Sequence, residues 1–239
     1  MSKQRDFDNF DEFVEGYRET HNKAIALSGA NSDFFSEYKI LELLNFEDNS
    51  KPLKILDFGC GDGNSSIYLR KYFPNATIVG IDVSEESIKQ AEKKELPNTT
   101  FSAFNGVKIP FNNEEFDLVF TSMVFHHIEH HLHEDILSEI KRILKQDGRF
   151  YNFEHNPNNP LTRKVVNECE FDKDAVLLKP SYHKKLITNS GLSLKEIKYT
   201  IFFPRHKLFK VFHFTENLLS WLPIGAQYFI RAEKVKHLK

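Results

Sequence analysis

Several common determinants are scarce in this 239-residue chain. Cysteine occurs twice, at Cys60 and Cys169, in unrelated contexts. Two such residues make no disulfide framework, which fits a reducing compartment. No apolar run approaches the roughly 20 residues of a membrane-crossing helix. The polar start, Met1-Ser2-Lys3-Gln4-Arg5-Asp6, has no signal-peptide core, so a cytoplasmic protein is expected. The net charge is only -2, which removes the general electrostatic reason to expect nucleic acid as a partner. No internal repeat is visible.

What is present is aromatic and unevenly charged. Phenylalanine occurs 23 times, so apolar clefts are expected. From His155 onward there are 15 Lys plus Arg against 7 Asp plus Glu, or +8; residues 1–154 carry 17 against 27, or -10. A basic C-terminal third suits an anionic group on a substrate or a membrane surface, although solvated surface lysines give the same count.

Hydrophobic spacing divides the chain. Phe7, Phe10, Phe13, Val14 and Tyr17 recur at helical spacing. A second helix, capped by Ser32 or Asp33, carries Phe34, Phe35, Tyr38, Ile40, Leu41, Leu43 and Leu44. Residues 1–46 are therefore expected as an N-terminal helical lid or as packing on the flank of a sheet. Strands are expected at 54–58, 77–81, 99–103, 116–121, 149–154, 194–203 and 227–232, with helices between most of them. That alternation predicts an α/β fold: a Rossmann-like, seven-stranded, mostly parallel sheet with helices on both faces and an antiparallel last strand. Residues 47–239 then form one domain, with substrate-facing inserts at about 155–180 and 204–226. The second insert is aromatic and amphipathic, so peripheral membrane contact is an expectation there.

The densest information lies between Lys54 and Asp82. An apolar strand, Lys54-Ile55-Leu56-Asp57-Phe58, runs into Gly59-Cys60-Gly61-Asp62-Gly63-Asn64 and then a helix. A second strand closes on Asp82. A glycine turn lets a ligand lie against bare backbone. An acid at the end of the second strand can accept both hydroxyls of a ribose. The dinucleotide fingerprint wants Gly or Ala three residues after its second glycine, where this chain has Asn64.

Asp57 ahead of Gly59-x-Gly61-x-Gly63 resembles motif I of the class I S-adenosylmethionine-dependent methyltransferases. Asp82, Asn105 before Ile109-Pro110-Phe111, Phe116-Asp117-Leu118-Val119 and Phe125-His126-His127-Ile128 follow in the family's order. The resemblance covers about residues 53–154 and implies S-adenosyl-L-methionine as cofactor. It implies that Asp57 and the turn Gly59, Cys60, Gly61, Gly63 hold the methionine portion. Asp82 would bind the ribose, and Asn105, where the family often has Asp, the adenine amino group. Val83, Gly106 and Val107 would flank the adenine; Thr121 and Met123 would lie near the methyl group. Glu154–Asp174 and Leu222–Tyr228 are more weakly similar to bacterial methyltransferases of surface-glycan pathways.

Methyl transfer to oxygen or nitrogen gains from a general base. His126, Glu154 and His155 are the candidates, at the carboxyl ends of strands where ligands of open sheets gather. Packing and loop-tethering roles compete for each. Residues of Glu154-His155-Asn156 are the expected substrate contacts, with Arg163, Lys164, Tyr182 and His183 weaker candidates for a polar or anionic substrate group. His126-His127-Ile128-Glu129-His130 formally fits a zinc-peptidase pattern, but the surroundings do not, and no metal is expected. Asn156-Pro157-Asn158-Asn159-Pro160 lacks the paired prolines and aromatic of the amino-methyltransferase motif, and it follows the wrong strand. The expected acceptor is a small molecule, a sugar or a nucleotide- or lipid-linked sugar. The alternatives are a quinone or other apolar molecule, or a cofactor-binding module without turnover. The sequence is silent on oligomeric state.

Overall fold

The computed structural model describes residues 28–169 and 175–235. The helix expected around Phe7–Tyr17 lies outside them. Seven strands form one sheet: β1 Lys54–Phe58, β2 Thr77–Asp82, β3 Thr99–Ala103, β4 Phe116–Ser122, β5 Leu144–His155, β6 Ser193–Thr200 and β7 Gln227–Glu233. Their order is β3-β2-β1-β4-β5-β7-β6. Pairing is parallel from β3 across to β5, and β7 runs antiparallel to both β5 and β6. The chain leaves β1 in one direction for β2 and β3, and returns beside β1 with β4. That reversal opens a crevice at the carboxyl ends of β1 and β4, the place where ligands enter such sheets.

Both faces are covered. Strand residues alternate, so Leu56, Phe58, Val119 and Phe150 pack with α4 (His133–Ile143) and α6 (Pro180–Asn189). Ile55, Phe120, Tyr151 and Phe153 face the other way, toward α1 (Ser32–Leu43) and α2 (Asn64–Tyr72). The remaining described helices are α3 (Glu85–Glu92), α5 (Pro160–Glu168) and the short α7 (Glu216–Leu219). Among the described residues no helix is long and apolar enough to cross a membrane.

The departures from sequence expectation are local. Asn31, not Ser32 or Asp33, caps α1, its side-chain oxygen accepting from Phe34 N–H at 3.0 Å. α4 stops at Ile143, and β5 begins at once with Leu144, because the first residues of β5 make a bulged pairing with β4. β6 ends at Thr200, three residues early: Ile201 has φ 61°, which turns the chain out of the sheet. The 204–226 connection is a tight helical turn over Lys207–Thr215 followed by α7. It leaves β6 and enters β7 at the Thr200–Gln227 pair, beside His155. The insert therefore sits at the same edge as the crevice.

α1 lies against α2 on one sheet face. Ile40 and Leu43 are fully buried there. Asn64 Nδ2 donates to Ser36 Oγ at 2.9 Å, and Glu37 accepts from Lys71 Nζ and Tyr72 Oη at 2.6 Å each. The Arg205 guanidinium covers Phe34 and Tyr38, and Arg205 N–H donates to Ser28 O at 2.6 Å. α1 is thus a packed element of the sheet flank that also touches the 204–226 insert.

Candidate active site

The glycine turn follows directly from the end of β1. Gly59 N–H and Cys60 N–H both donate to Ile81 O, at 2.8 and 3.0 Å, which ties the turn to β2. Gly59, Gly61 and Gly63 all have positive φ, at 71°, 53° and 78°. A side chain at Gly59 would collide with Val124 from the loop after β4. At Gly61 a Cβ would meet nothing within 4 Å. The turn is therefore packed beneath at Gly59 and Gly63 and open at Gly61, a concave backbone surface with N–H groups and no side chain. Cys60 is buried, and burial pushes its thiol well above the usual range, with Asp57 and Asp82 adding to the effect. It lends shape to the turn, not reactivity.

Two acids flank this surface in different ways. Asp82 is half-buried and organises it: Oδ2 accepts from Gly61 N–H at 2.8 Å and Oδ1 from Ser84 N–H at 3.0 Å. A carboxylate has about four acceptor positions, so these bonds leave capacity for ligand hydroxyls. Asp57 is only 1% exposed, and Ser66 Oγ donates to its Oδ2 at 2.6 Å. Burial pushes Asp57 up to about 7, against the lowering effect of Ser66. A cation brought beside it would favour its charged form. Val83 is half-buried next to Asp82. Asn105 is exposed, and its Oδ1 accepts from Val107 and Lys108 N–H at 3.1 and 3.3 Å. Its side-chain acceptor shapes the Gly106 turn (φ 73°). An open backbone cradle with an acid at either end fits the amino-acid and ribose portions of S-adenosylmethionine.

At the carboxyl ends of β4 and β5 lies a buried acid–imidazole pair. Glu154 is 1% exposed. Its Oε1 accepts from Phe125 N–H at 2.9 Å, and its Oε2 lies 2.6 Å from His126 Nδ1. Burial alone would raise the Glu154 carboxyl; the attraction and hydrogen bond of His126 outweigh it and hold the group below its usual value. The His155 ring centroid is 5.4 Å from that of His126, and the His127 centroid is 4.2 Å away. The loop carrying His126 is fixed from three sides. Glu154 holds Phe125 N–H, His133 Nε2 sits 3.0 and 2.9 Å from Phe125 O and Ile128 O, and Val176 N–H donates to His126 O at 3.0 Å.

Other expected site residues sit elsewhere. Thr121 is fully buried, and its hydroxyl donates to Asn152 Oδ1 at 3.0 Å, so it points into the helix layer and not toward a methyl group. It begins a buried polar chain: Asn152 Nδ2 lies 2.9 Å from His183 Nε2, His183 Nδ1 lies 3.3 Å from Tyr228 Oη, and Tyr228 Oη donates to Leu178 O at 2.9 Å. Burial drives His183 down to about 4, so it is neutral. Asn156 is also fully buried, with Nδ2 donating to Pro223 O and Gly225 O at 3.1 and 2.8 Å and Oδ1 accepting from Asn158 N–H at 3.1 Å. Those bonds tie the post-β5 loop to the 204–226 insert. Arg163 is exposed on α5. Tyr182 stacks on His130, centroids 5.1 Å apart, with its hydroxyl 3.1 Å from His133 Nδ1. Local patterns cannot distinguish these roles, because each depends on a partner 31 to 69 residues away.

The sequence reading missed one group. Lys39, on α1, is 5% exposed, and its Nζ donates to Ser122 Oγ at 2.7 Å at the end of β4. Its position on the buried face of α1, beside Ile40 and Leu43, was the available signal.

Residues 55–148 match the family model described as a methyltransferase domain. The chain is 36% identical over 109 residues to an uncharacterized methyltransferase of Synechocystis, covering 45% of this chain and 50% of that protein. It is 26% identical over 157 residues to the phthiotriol/phenolphthiotriol dimycocerosates methyltransferase of Mycobacterium leprae, covering 65% and 56%. The chain thus spans about half the length of these curated relatives. In fold it is similar to a methyltransferase solved in complex with the Haloferax volcanii Trm112 activator, with TM-score 0.69, 18% identity and coverage of 98% and 100%. It is likewise similar to a SAM-dependent methyltransferase of Archaeoglobus fulgidus, with TM-score 0.66, 17% identity and coverage of 85% and 95%. Sheet order, glycine cradle and family match agree: residues 55–148 are a class I methyltransferase domain, of the kind whose cofactor is S-adenosylmethionine.

Proposed function

We propose that this chain moves a methyl group from S-adenosylmethionine to an oxygen or nitrogen of a small molecule. The observations that carry the reading are the open backbone at Gly61, just past the end of β1, and the Glu154–His126 pair, held at the ends of β5 and β4 on the same carboxyl edge of the sheet. When bound, the cofactor supplies a methyl group already activated on a sulfonium. The protein's task is then alignment and proton management. Gly59–Gly63 and Asp82 fix the position of the ligand. Glu154 orients the His126 imidazole through Nδ1, the arrangement that leaves Nε2 as the nitrogen able to take a proton. His155 is the second candidate base and is half-buried at the end of β5.

The acceptor we favour is a sugar carried on a lipid. The sugar portion rests on His155, half-buried beside His126 at the end of β5. The apolar portion rests on the 204–226 insert, where Phe214, Leu218 and Trp221 are each more than 70% exposed at the same edge. A quinone or other wholly apolar acceptor uses the same insert without the polar contacts. Peripheral membrane contact belongs to this reading. Trp221 is the chain's single tryptophan, so its emission reports the contact directly. A blue shift with vesicles containing phosphatidylglycerol is expected, and unchanged emission refutes the contact.

Isothermal titration with S-adenosylmethionine tests the cofactor reading. Binding is expected, with at least a ten-fold loss in Asp82→Ala; no binding refutes it. Release of S-adenosylhomocysteine with lipid-linked sugars, nucleotide sugars or quinones then identifies the acceptor class. Binding with no release from any of them would favour the non-catalytic module.

A further inference from the structure

The buried face of α1 carries an ammonium. Lys39 lies one residue before Ile40, and packing of Ile40 and Leu43 in the core fixes its direction inward. Its Nζ reaches the carboxyl end of β4 and donates to Ser122 Oγ at 2.7 Å. Among the described residues it makes no ion pair; its hydrogen-bond partner is a neutral hydroxyl. Buried charges are ordinarily paired, because desolvation without a counter-charge is costly. The strain shows in its proton affinity: burial lowers Lys39 to about 8, even though Glu154 and Asp57 pull it upward.

The surrounding acids do not fill this need. Glu154 is committed to Phe125 N–H and His126. Asp57 is held by Ser66 and burial keeps its own charge unfavourable. Lys39 and Asp57 thus attract each other, yet the hydrogen-bond partner of each among the described residues is a neutral hydroxyl, Ser122 for one and Ser66 for the other. Ser122 ends β4 and Asp57 lies in β1, its direct neighbour. A ligand carrying both charges on one carbon, an α-amino acid, satisfies both groups at once. It does so without bringing a net charge into the interior.

We propose that Lys39 binds the carboxylate of the cofactor's amino-acid portion, with Asp57 taking its ammonium, so that α1 is part of the cofactor site. This rests on the cofactor reading above. It makes α1 more than flank packing: the Asn64–Ser36 and Glu37–Lys71 contacts that seat α1 on α2 set where the Lys39 ammonium stands. A three-donor ammonium can keep Ser122 and still accept a carboxylate.

Two ligands that differ only in the carboxylate test it. S-adenosylmethionine and its decarboxylated form are titrated calorimetrically into wild type, Lys39→Met and Lys39→Arg, with thermal melting to confirm folding. Wild type is expected to prefer the carboxylated ligand. Lys39→Met should weaken S-adenosylmethionine about ten- to hundred-fold, as expected for a charge-assisted hydrogen bond, and leave the decarboxylated ligand within about two-fold. Lys39→Arg should keep most of the preference. Equal losses for both ligands, or no loss, overturn the assignment while leaving the cofactor reading intact. Failure of wild type to bind either ligand overturns the cofactor reading and Lys39 with it. If Lys39→Met does not fold, Lys39→Gln is used, and the decarboxylated ligand reports the integrity of the rest of the site in the same sample.

Discussion

Replacing Glu154 by Gln would change one oxygen to nitrogen in a site with no room to rearrange. The carboxylate accepts two hydrogen bonds, from Phe125 N–H at 2.9 Å and from His126 Nδ1 at 2.6 Å, and it is 1% exposed. A glutamine can accept only one of them. With its oxygen toward Phe125, its amide NH2 faces His126 Nδ1. The imidazole must then accept at Nδ1 and carry its proton on Nε2, the reverse of the starting tautomer. Charge-assisted bonds exceed neutral ones by about 1 kcal/mol each, so the loss of charge at two bonds predicts destabilisation of about 2 kcal/mol. Glu154→Leu leaves both donors unpaired in the interior and should cost about 3–5 kcal/mol. Urea denaturation at pH 7 measures both changes, and long-range nitrogen–proton NMR of the imidazole reads the tautomer. Turnover of Glu154→Gln should fall at least 100-fold with S-adenosylmethionine affinity within about two-fold, since Nε2 can no longer take a proton. A variant with unchanged tautomer and stability within about 0.5 kcal/mol of wild type would refute this account of the pair.

Three further outcomes are expected. Gly61→Ala should fold, at a cost of about 1–2 kcal/mol for a left-handed non-glycine residue, yet lose cofactor binding by calorimetry; Gly59→Ala, driven into Val124, should be the less stable of the two by thermal melting. His183 is held near 4 against an unfolded value near 6.5, so its folded form resists the proton and its stability contribution is lost as pH falls through that window. His183→Gln should therefore be less destabilising at pH 5 than at pH 7, by about 2 kcal/mol in urea titrations, a difference from which the opposite slope of Asp57 cancels; an equal cost at both values would refute a neutral buried imidazole. His155→Ala should lower kcat sharply with cofactor affinity kept, and an unchanged kcat removes His155 from proton transfer.

Much of the scaffold was legible before any coordinates. Strand alternation, the glycine turn after Asp57 and the acid closing β2 are local patterns, and each lies where its spacing places it. Backbone conformation follows from nearby residues: Gly59, Gly61 and Gly63 can adopt the positive φ that the turn uses. Strand ends were less legible where tertiary geometry intervened. Ile201 turns β6 out of the sheet, and the bulge at Leu144 starts β5 inside what periodicity reads as helix.

Which side chain meets which was settled by the tertiary structure alone. Thr121 and Asn156 stand at the right points in the chain for a ligand, but both are spent on partners distant in sequence, Asn152 and the 223–225 backbone. Lys39 has no motif to mark it, yet folding carries it to Ser122, 83 residues away. The physical reason is one of range. Periodicity and turn chemistry are written within a few residues and define the sheet edge where a cofactor must lie. Hydrogen bonds and desolvation act between groups that only the closed fold brings within 3 Å, and they decide which residues at that edge remain available to a ligand.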